Sequence, residues 1–494
     1  MMIRFQDWQP DAADYGTPGS VTVTNVAPAQ YGYQPWPGFA SITDALTARP
    51  RGAIEAFDKD QVSYQFAGDA TKLYELDATN LTWTDVTNTG GAYTTGATDL
   101  WRFTRWENKI LATNYADYPQ QIVMGAANFS DLTTDFKARN ITVVGDFVVA
   151  SNTWDSSDGV VPNRVRWSAI GNETSWTVSA STLSDFRDLT TGGAVQRIIG
   201  GEVGVIVSER SIFRMAFVGA PTAFQIDEIL PDIGAFAAGS VVGLGDSVFL
   251  ISDQGFIEVT GGGTGLNPIG AGKVDQYFFA EYDSDHPDRI FSMADPTNNR
   301  ILWCFPGSGN TAGRPNKIMI FDRTFNKWSL VEEEIEMLLR AKGINFTLDE
   351  LDALGYDNID EMVISLDSNQ FKVLSAQIAA FDDTFKMGFF RGANKTATLE
   401  SAEVQLNEGH MTALNSFSPM VDGGTIVANV GTRNRLSDSV VWGADLTQSA
   451  SGRFTSRNNA KFHRFRFTLT GDEWIDAVGV QIDPSDAPRG AKRG

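Results

Sequence analysis

Residues Ile318 to Trp328 read IMIFDRTFNKW, and this stretch, half of a β-hairpin, decides how the rest of the chain is read. Residues of apolar character run into Asp322, a polar turn follows, and an indole closes the unit. The outline recurs at Leu73 to Trp83 (LYELDATNLTW), at Val165 to Trp176 (VRWSAIGNETSW) with a longer turn, and at Ile212 to Phe224 (IFRMAFVGAPTAF), where Phe stands in for Trp. A second phrase, a polar or glycine turn entering a hydrophobic strand, lies between them. It appears as NKILATN from Asn108, GDFVVASN from Gly145, GEVGVIVSE from Gly201, GDSVFLISD from Gly245 and NRILWCF from Asn299. Gly, Asn, Asp and Ser at these turns are what tight antiparallel connections require. Two alternating strand phrases, repeated about five times at intervals of roughly 40 to 55 residues, fit a β-propeller better than other repeat architectures. The period is too loose to set the number of blades.

Composition narrows the function. The chain has 494 residues, 42% hydrophobic and 20% charged, which suits a large buried core. No apolar run is long enough for a membrane-spanning helix, and no secretory signal is readable at the N-terminus, so assembly in a cytoplasm is expected. The single cysteine, Cys304, excludes an internal disulfide, and between Trp303 and Phe305 it reads as a buried, inert thiol. The three histidines, His286, His410 and His463, are far apart and show no metal-ligand spacing, so no metal or cofactor site is expected. A net charge of −22 argues against wrapping nucleic acid, because phosphate binding relies on Lys and Arg. An acidic surface repels a passing duplex and keeps it from adhering; it also simply maintains solubility.

Along the chain, PAQYGYQPWPGF from Pro28 to Phe39 is excluded from a helix or a central strand by its prolines. It reads as an extended arm whose Tyr31, Tyr33, Trp36 and Phe39 either pack over their own domain or anchor on a neighbour. Tryptophans 83, 101, 106, 154, 167, 176, 303 and 328 fall on or beside strands and are expected to fill the space between blades. Glycine clusters at 192–193, 200–201 and 261–263 are turns, since none leads from a strand into a helix as nucleotide binding needs. From Glu332, VEEEIEMLLRAKG predicts a helix with Gly343 as its C-cap, and TLDE at Thr347 to Glu350 predicts a capping box for a second. Ten carboxylates fall between Glu332 and Glu361 against only Arg340 and Lys342, so Glu332, Glu333, Glu334 and Glu336 are candidate partner contacts, with a solvated face as the plainer alternative.

The C-terminal part returns to strands. KFHRFRFTLT from Lys461 predicts His463, Phe465, Phe467 and Leu469 on one face and Phe462, Arg464, Arg466 and Thr468 on the other. With Arg453, Arg457 and Lys461 upstream, this makes a basic ribbon suited to an acidic neighbour, such as the acidic insertion of a second copy. The expected class is all-β, with a β-propeller body, a short helical insertion and a C-terminal β-sandwich-like domain. The expected boundaries are an arm over 1–50, the propeller over 51–331, the acidic helical insertion over 332–362, a strand returning to the body over 363–384, the C-terminal β domain over 385–483 and a mobile basic tail over 484–494.

A propeller can house a glycosidase, but the Asp boxes of sialidase-type propellers, S-x-D-x-G-x-x-W, are not met by SSDGVV at Ser156 or ISDQGF at Ile251. There is no G-x-S-x-G elbow, and the shortage of histidine disfavours a Ser/His/Asp triad. No enzymatic activity is expected.

The order of phrases GYQPWPGF, KLYELDATNLTWTDV, LWRFTRWENKILATNYADYPQQI, NRVRWSAIGNETSW, GGEVGVIVSERSIFRM, VFLISDQGFIEV, NPIGAGKVDQYFF, TLDELDALGYDNIDEM, VGTRNRLSDSVVW and KFHRFRFTL resembles the tail hub or nozzle proteins of short-tailed bacteriophages, also called packaged-DNA stabilisation proteins. The resemblance runs from about Asp7 to Asp483. It implies a structural role in the virion tail: a homo-oligomer, a six-fold ring below the portal and the tail adaptor protein. Such a ring extends and closes the channel through which double-stranded DNA passes without specific binding, and it contacts receptor-binding tail fibres or spikes. The family supplies no catalytic residues. Asp155, Asp158 and Gly262, on long polar turns, are the candidate lumen loops. The competing reading is a propeller that binds or degrades carbohydrate as a receptor-binding module.

Overall fold

The computed structural model describes residues 1–13, 15–343 and 376–482. Both repeated phrases have a fixed place in it. The second phrase supplies the second strand of a four-stranded antiparallel blade: Lys109–Thr113, Phe147–Asp155, Val203–Ser208, Ser247–Ser252 and Arg300–Phe305. The first phrase supplies the third strand and the turn that follows it. In IMIFDRTFNKW, Lys317–Asp322 pairs with Lys327–Glu332, and Asp322 Oδ1 accepts the N–H groups of Thr324 and Phe325 at 3.0 and 3.1 Å. The aspartate of LYELD does the same, Asp77 Oδ1 accepting from Thr79 and Asn80 at 2.8 and 3.3 Å. These aspartates are retained because a carboxylate locks the turn. Where the turn lies between first and second strands, glycine serves instead: Gly145 and Gly245 take φ of +54° and +63°, where a Cβ would be strained.

Seven blades form among the described residues. Their innermost strands are Gly52–Phe57, Arg102–Trp106, Phe136–Val144, Val195–Ile199, Val242–Leu244, Phe291–Ala294 and Met337–Lys342. Because each blade has four antiparallel strands, every fourth strand ends on the face where the next blade begins, so all inner strands run the same way. The parallel bridge between Val144 and Gly201 records this. The ring closes where Met337–Lys342 packs against Gly52–Phe57, and Arg340 Nε donates to Glu55 Oε2 across the seam at 3.1 Å.

The seventh blade corrects two expectations. Met337–Lys342 is a strand and not a helix: it pairs in register with Ala376–Phe381, and Met337, Leu338, Leu339 and Ala341 are all buried. Six consecutive residues with a single exposed position suit a strand covered on both faces, and burial overrides the helix-like spacing. Residues 344–362 of the predicted helical insertion, and the tail at 484–494, lie outside the described residues, while Glu332 ends the strand Lys327–Glu332. The blade's outermost strand comes from the other end of the chain: Pro37–Ala45 pairs with Lys386–Asn394, Phe39 opposite Phe390. Residues of the expected arm therefore complete the propeller, with Pro37 at the sheet edge where a missing N–H costs no pairing.

Beside the propeller stands a sandwich built from both chain ends. One sheet orders Val26–Pro28, Tyr33–Pro35, Ala477–Gln481, Thr412–Val421 and Phe454–Ala460, with Met2–Arg4 also on Ala477–Gln481. The other runs Thr22–Thr24, Ala397–Glu400, Phe462–Thr470 and Thr425–Arg433, and it continues the sixth blade through the pairing of Thr24 with Leu330. The alternation expected of KFHRFRFTLT holds: His463, Phe465, Phe467 and Leu469 are buried, and Phe5 meets Phe467 edge-on at 5.6 Å. The terminal amino group donates to the carbonyl of Ile482 at 2.8 Å, so the two ends fasten one another.

The indoles at 101, 106, 167, 176, 303 and 328 are buried between strands, and those at 83 and 154 are half-buried. Trp101, Trp303 and Trp328 each donate to a backbone carbonyl, of Asp69, Ser240 and Ile269. Cys304 is buried, and burial pushes its thiol up to about 12.

Candidate functional site

The inner strands surround a central channel, and two connected cavities occupy it. The inner one, about 290 Å³, is lined by Gly52, Phe103, Thr142, Ile198, Ser292 and Leu338 among others. The outer one, about 400 Å³, lies at the mouth on the face where the inner strands begin, and Asp99, Asn114, Tyr115, Asn152, Glu209 and Asp288 contribute to it. Arg102, Asn140 and Gly239 belong to both, so one opens into the other at Arg102.

Charge is distributed unevenly between them. The charged residues lining the inner cavity, among those described, are Arg51, Arg102, Arg197 and Arg340, with no carboxylate. Arg340 is paired with Glu55, whose carboxyl burial holds above its ordinary value in spite of the guanidinium. Arg51 Nη1 donates to the carbonyls of Thr95 and Gly96. Arg197 Nη1 donates to the carbonyl of Val241 at 2.7 Å, and burial lowers the group to about 10. Arg102 is lowered further, by burial first and by the charge on Arg197 second. A guanidinium remains protonated under these conditions. At the mouth Arg49 is likewise lowered to about 10, by burial and by Arg289 and Arg51. Of the carboxylates near this level, Asp99 is engaged with Arg139, and Glu336 with both Arg289 and Arg314.

The residues singled out in the sequence are dispersed. Tyr33 is fully buried, its hydroxyl donating to the carbonyl of Gln6 at 2.8 Å, and Trp36 packs on Phe390 with ring centroids 5.3 Å apart. Phe39 also packs on Phe390, so these three serve their own fold; Tyr31 alone is exposed, at 60%. Glu336 is buried, Glu333 is bound to Lys395 at 2.6 Å, and Glu332 and Glu334 are exposed. Of the basic ribbon, Arg464 and Arg466 are neutralised within the domain. Arg464 meets Glu400 at 3.2 Å and Glu403 at 3.5 Å, while Arg466 meets Glu400 at 2.9 Å and lies 3.8 Å over the Trp442 ring. Arg453 reaches Ser416 Oγ, Lys461 lies over Phe462, and Arg457 is exposed. Asp155 and Asp158 both bind Arg164, at 2.9 and 2.7 Å, and are turn-formers on the face of the channel mouth. Gly262 turns between Gly255–Thr260 and Gly265–Pro268 on the opposite face.

Sequence reasoning passed over the channel arginines. The available signal was an Arg within or beside four of the first strands, in PRGAIEAF, WRFTRW, VQRIIG and MLLRAK. It carries meaning only once those strands are known to be innermost.

Among the described residues no group of three or more His, Cys, Asp and Glu is arranged to hold a metal ion, and no helix is long and apolar enough to cross a membrane. No protein-family model matches the chain, and no curated protein sequence matches it. Solved structures similar to it include YCF48 bound to D1 peptide, at 11% identity and a TM-score of 0.37, covering 62% of this chain and 87% of that one. BamB from Moraxella catarrhalis matches at 10% identity and 0.33, covering 62% and 89%. The computationally designed Ika8 protein matches at 10% and 0.33, covering 72% and 98%.

Proposed function

We propose that the chain is a structural subunit of a bacteriophage tail, forming a ring below the portal and adaptor that extends and closes the DNA channel and supports receptor-binding fibres. The observation that carries the reading is the number and order of phrases it shares with tail hub and nozzle proteins. Several of those phrases have structural roles among the described residues. GYQPWPGF closes the seventh blade, NPIGAGKVDQYFF leads from the fifth blade into the helix Asp275–Glu281, and KFHRFRFTL is a central strand of the sandwich. The net charge of −22 also suits a conduit, since it disfavours adhesion of a phosphate backbone. Pairing of Met2–Arg4 with Ala477–Gln481 in one sandwich, itself continuous with the sixth blade, suits a subunit that bears load.

The reading is tested by mixing the purified protein with preassembled portal and adaptor rings. Stoichiometric co-sedimentation in a six-fold complex is expected, with no complex on portal alone; failure to bind the adaptor-bearing ring overturns it. The second reading, a carbohydrate-binding propeller, draws on the polar mouth with Asp99, Asn114, Tyr115 and Asn152. It predicts binding of host polysaccharide by the isolated chain.

A further inference from the structure

The inner channel holds charge in a way the rest of the molecule does not. The chain carries 61 acidic against 39 basic residues, yet the inner cavity is lined by Arg51, Arg102, Arg197 and Arg340 and, among the described residues, by no carboxylate. Arg340 and Arg51 have partners in Glu55 and in the carbonyls of Thr95 and Gly96. Arg197 gives one hydrogen bond, to Val241, which leaves most of its donors uncommitted, and Arg102 has no protein acceptor within hydrogen-bond reach among the described residues. Arg102 and Arg197 are both half-buried and line the same cavity, so two positive charges share one confined space with donors open to its interior. Donors open to a cavity that no carboxylate lines are placed to meet an anion that enters it.

We propose that the inner channel binds a small oxyanion of the phosphate or sulfate class, held between Arg102 and Arg197 and reached through the mouth. Planar guanidinium forks match the paired oxygens of such an anion, and hydrogen bonds between charged partners are the strong ones. The volume, about 290 Å³, exceeds what a bare tetrahedral ion needs, so a phosphate carried on a small organic group also fits. The approach is open because Arg102 faces both cavities, and the carboxylates near it, Asp99, Glu209 and Asp288, line the outer cavity only. Asp99 is held by Arg139. The inference does not depend on the tail reading and survives its failure.

The test is isothermal titration calorimetry of the full chain with inorganic phosphate, sulfate and glycerol 3-phosphate, each at constant ionic strength against chloride. Saturable binding of one anion per chain is expected. Arg102→Gln and Arg197→Gln are expected to weaken it by roughly tenfold to a hundredfold, the loss of one charge-assisted partner. Arg105→Gln, an exposed arginine of the same blade, is expected to leave it unchanged. Tighter binding of glycerol 3-phosphate than of inorganic phosphate assigns the site to a phosphomonoester, and the reverse order assigns it to the free ion. No saturable heat with the wild-type chain overturns the proposal without recourse to any variant, as does binding that both glutamine variants retain.

Discussion

The propeller channel and the sandwich both bury arginine, and they treat it in opposite ways. In the sandwich, Arg433 meets Glu403 at 2.7 Å and Arg464 and Arg466 share Glu400, with both carboxylates almost wholly enclosed. In the channel, Arg102 and Arg197 line one cavity and no carboxylate lines it with them among the described residues. A buried ion pair costs a great deal to break and adds little over an apolar replacement. The sandwich cluster is thus an internal fastening, and two cations of the ribbon expected from the sequence, Arg464 and Arg466, are engaged within their own domain. The channel arginines are the group left over.

Substitutions separate the two cases by magnitude and by sign. Glu403→Gln removes the carboxylate from beneath Arg433 and Arg464, and a loss of about 3–5 kcal/mol is expected in denaturant unfolding. A loss no larger than that of an exposed pair would mean the cluster is not a fastening. His463 tests the same core by pH. Burial holds its pKa down to about 4, below the ordinary value near 6.5, so the folded sandwich keeps the ring neutral while the unfolded chain protonates. Its contribution is fully present above about pH 6.5 and is lost as pH falls towards about 4, in total about 3 kcal/mol. Comparing the pH dependence of unfolding for wild type and His463→Leu isolates this part, and the variant is expected to show the shallower slope.

Smaller effects sharpen the channel side. Arg102→Gln relieves like-charge repulsion of order 1 kcal/mol, and in chloride buffer its melting midpoint is expected to rise by about 1–2 °C, opposite in sign to Glu403→Gln. A fall of several degrees would show that Arg102 is already satisfied by the protein. The exposed pair Lys72 and Asp85, 2.9 Å apart, sets the baseline: Lys72→Ala is expected to change stability by about 0.5 kcal/mol or less.

The propeller was legible because its information is local. The turn aspartates, the lead glycines and the closing aromatics of IMIFDRTFNKW and GDFVVASN lie within about a dozen residues of one another, the range over which a hairpin is specified. The sandwich was legible only by half. Its C-terminal strands alternate clearly, but their partners at Met2–Arg4, Thr22–Thr24 and Val26–Pro28 are too short to show a period, and the chain between the two groups is the whole propeller. The strand Met337–Lys342 was misread because four buried apolar residues beside glutamates fit a helical face as well as a doubly covered strand. For the site, Tyr33 and Trp36 were found as important aromatics with their role left open, and Glu336 gave no hint that it sits between Arg289 and Arg314. The channel arginines were invisible for a further reason: a channel is a property of seven strands together, and an Arg in or beside four of them reads alone as an ordinary surface charge.

The central claim, a subunit that closes a DNA conduit, is tested most directly by cryo-electron microscopy of tail-deficient particles supplied with the purified protein, with DNA release followed in the same sample. The account predicts six-fold density at the portal vertex and retention of DNA by particles that otherwise leak. Peripheral or absent density, with leakage unchanged, would contradict it.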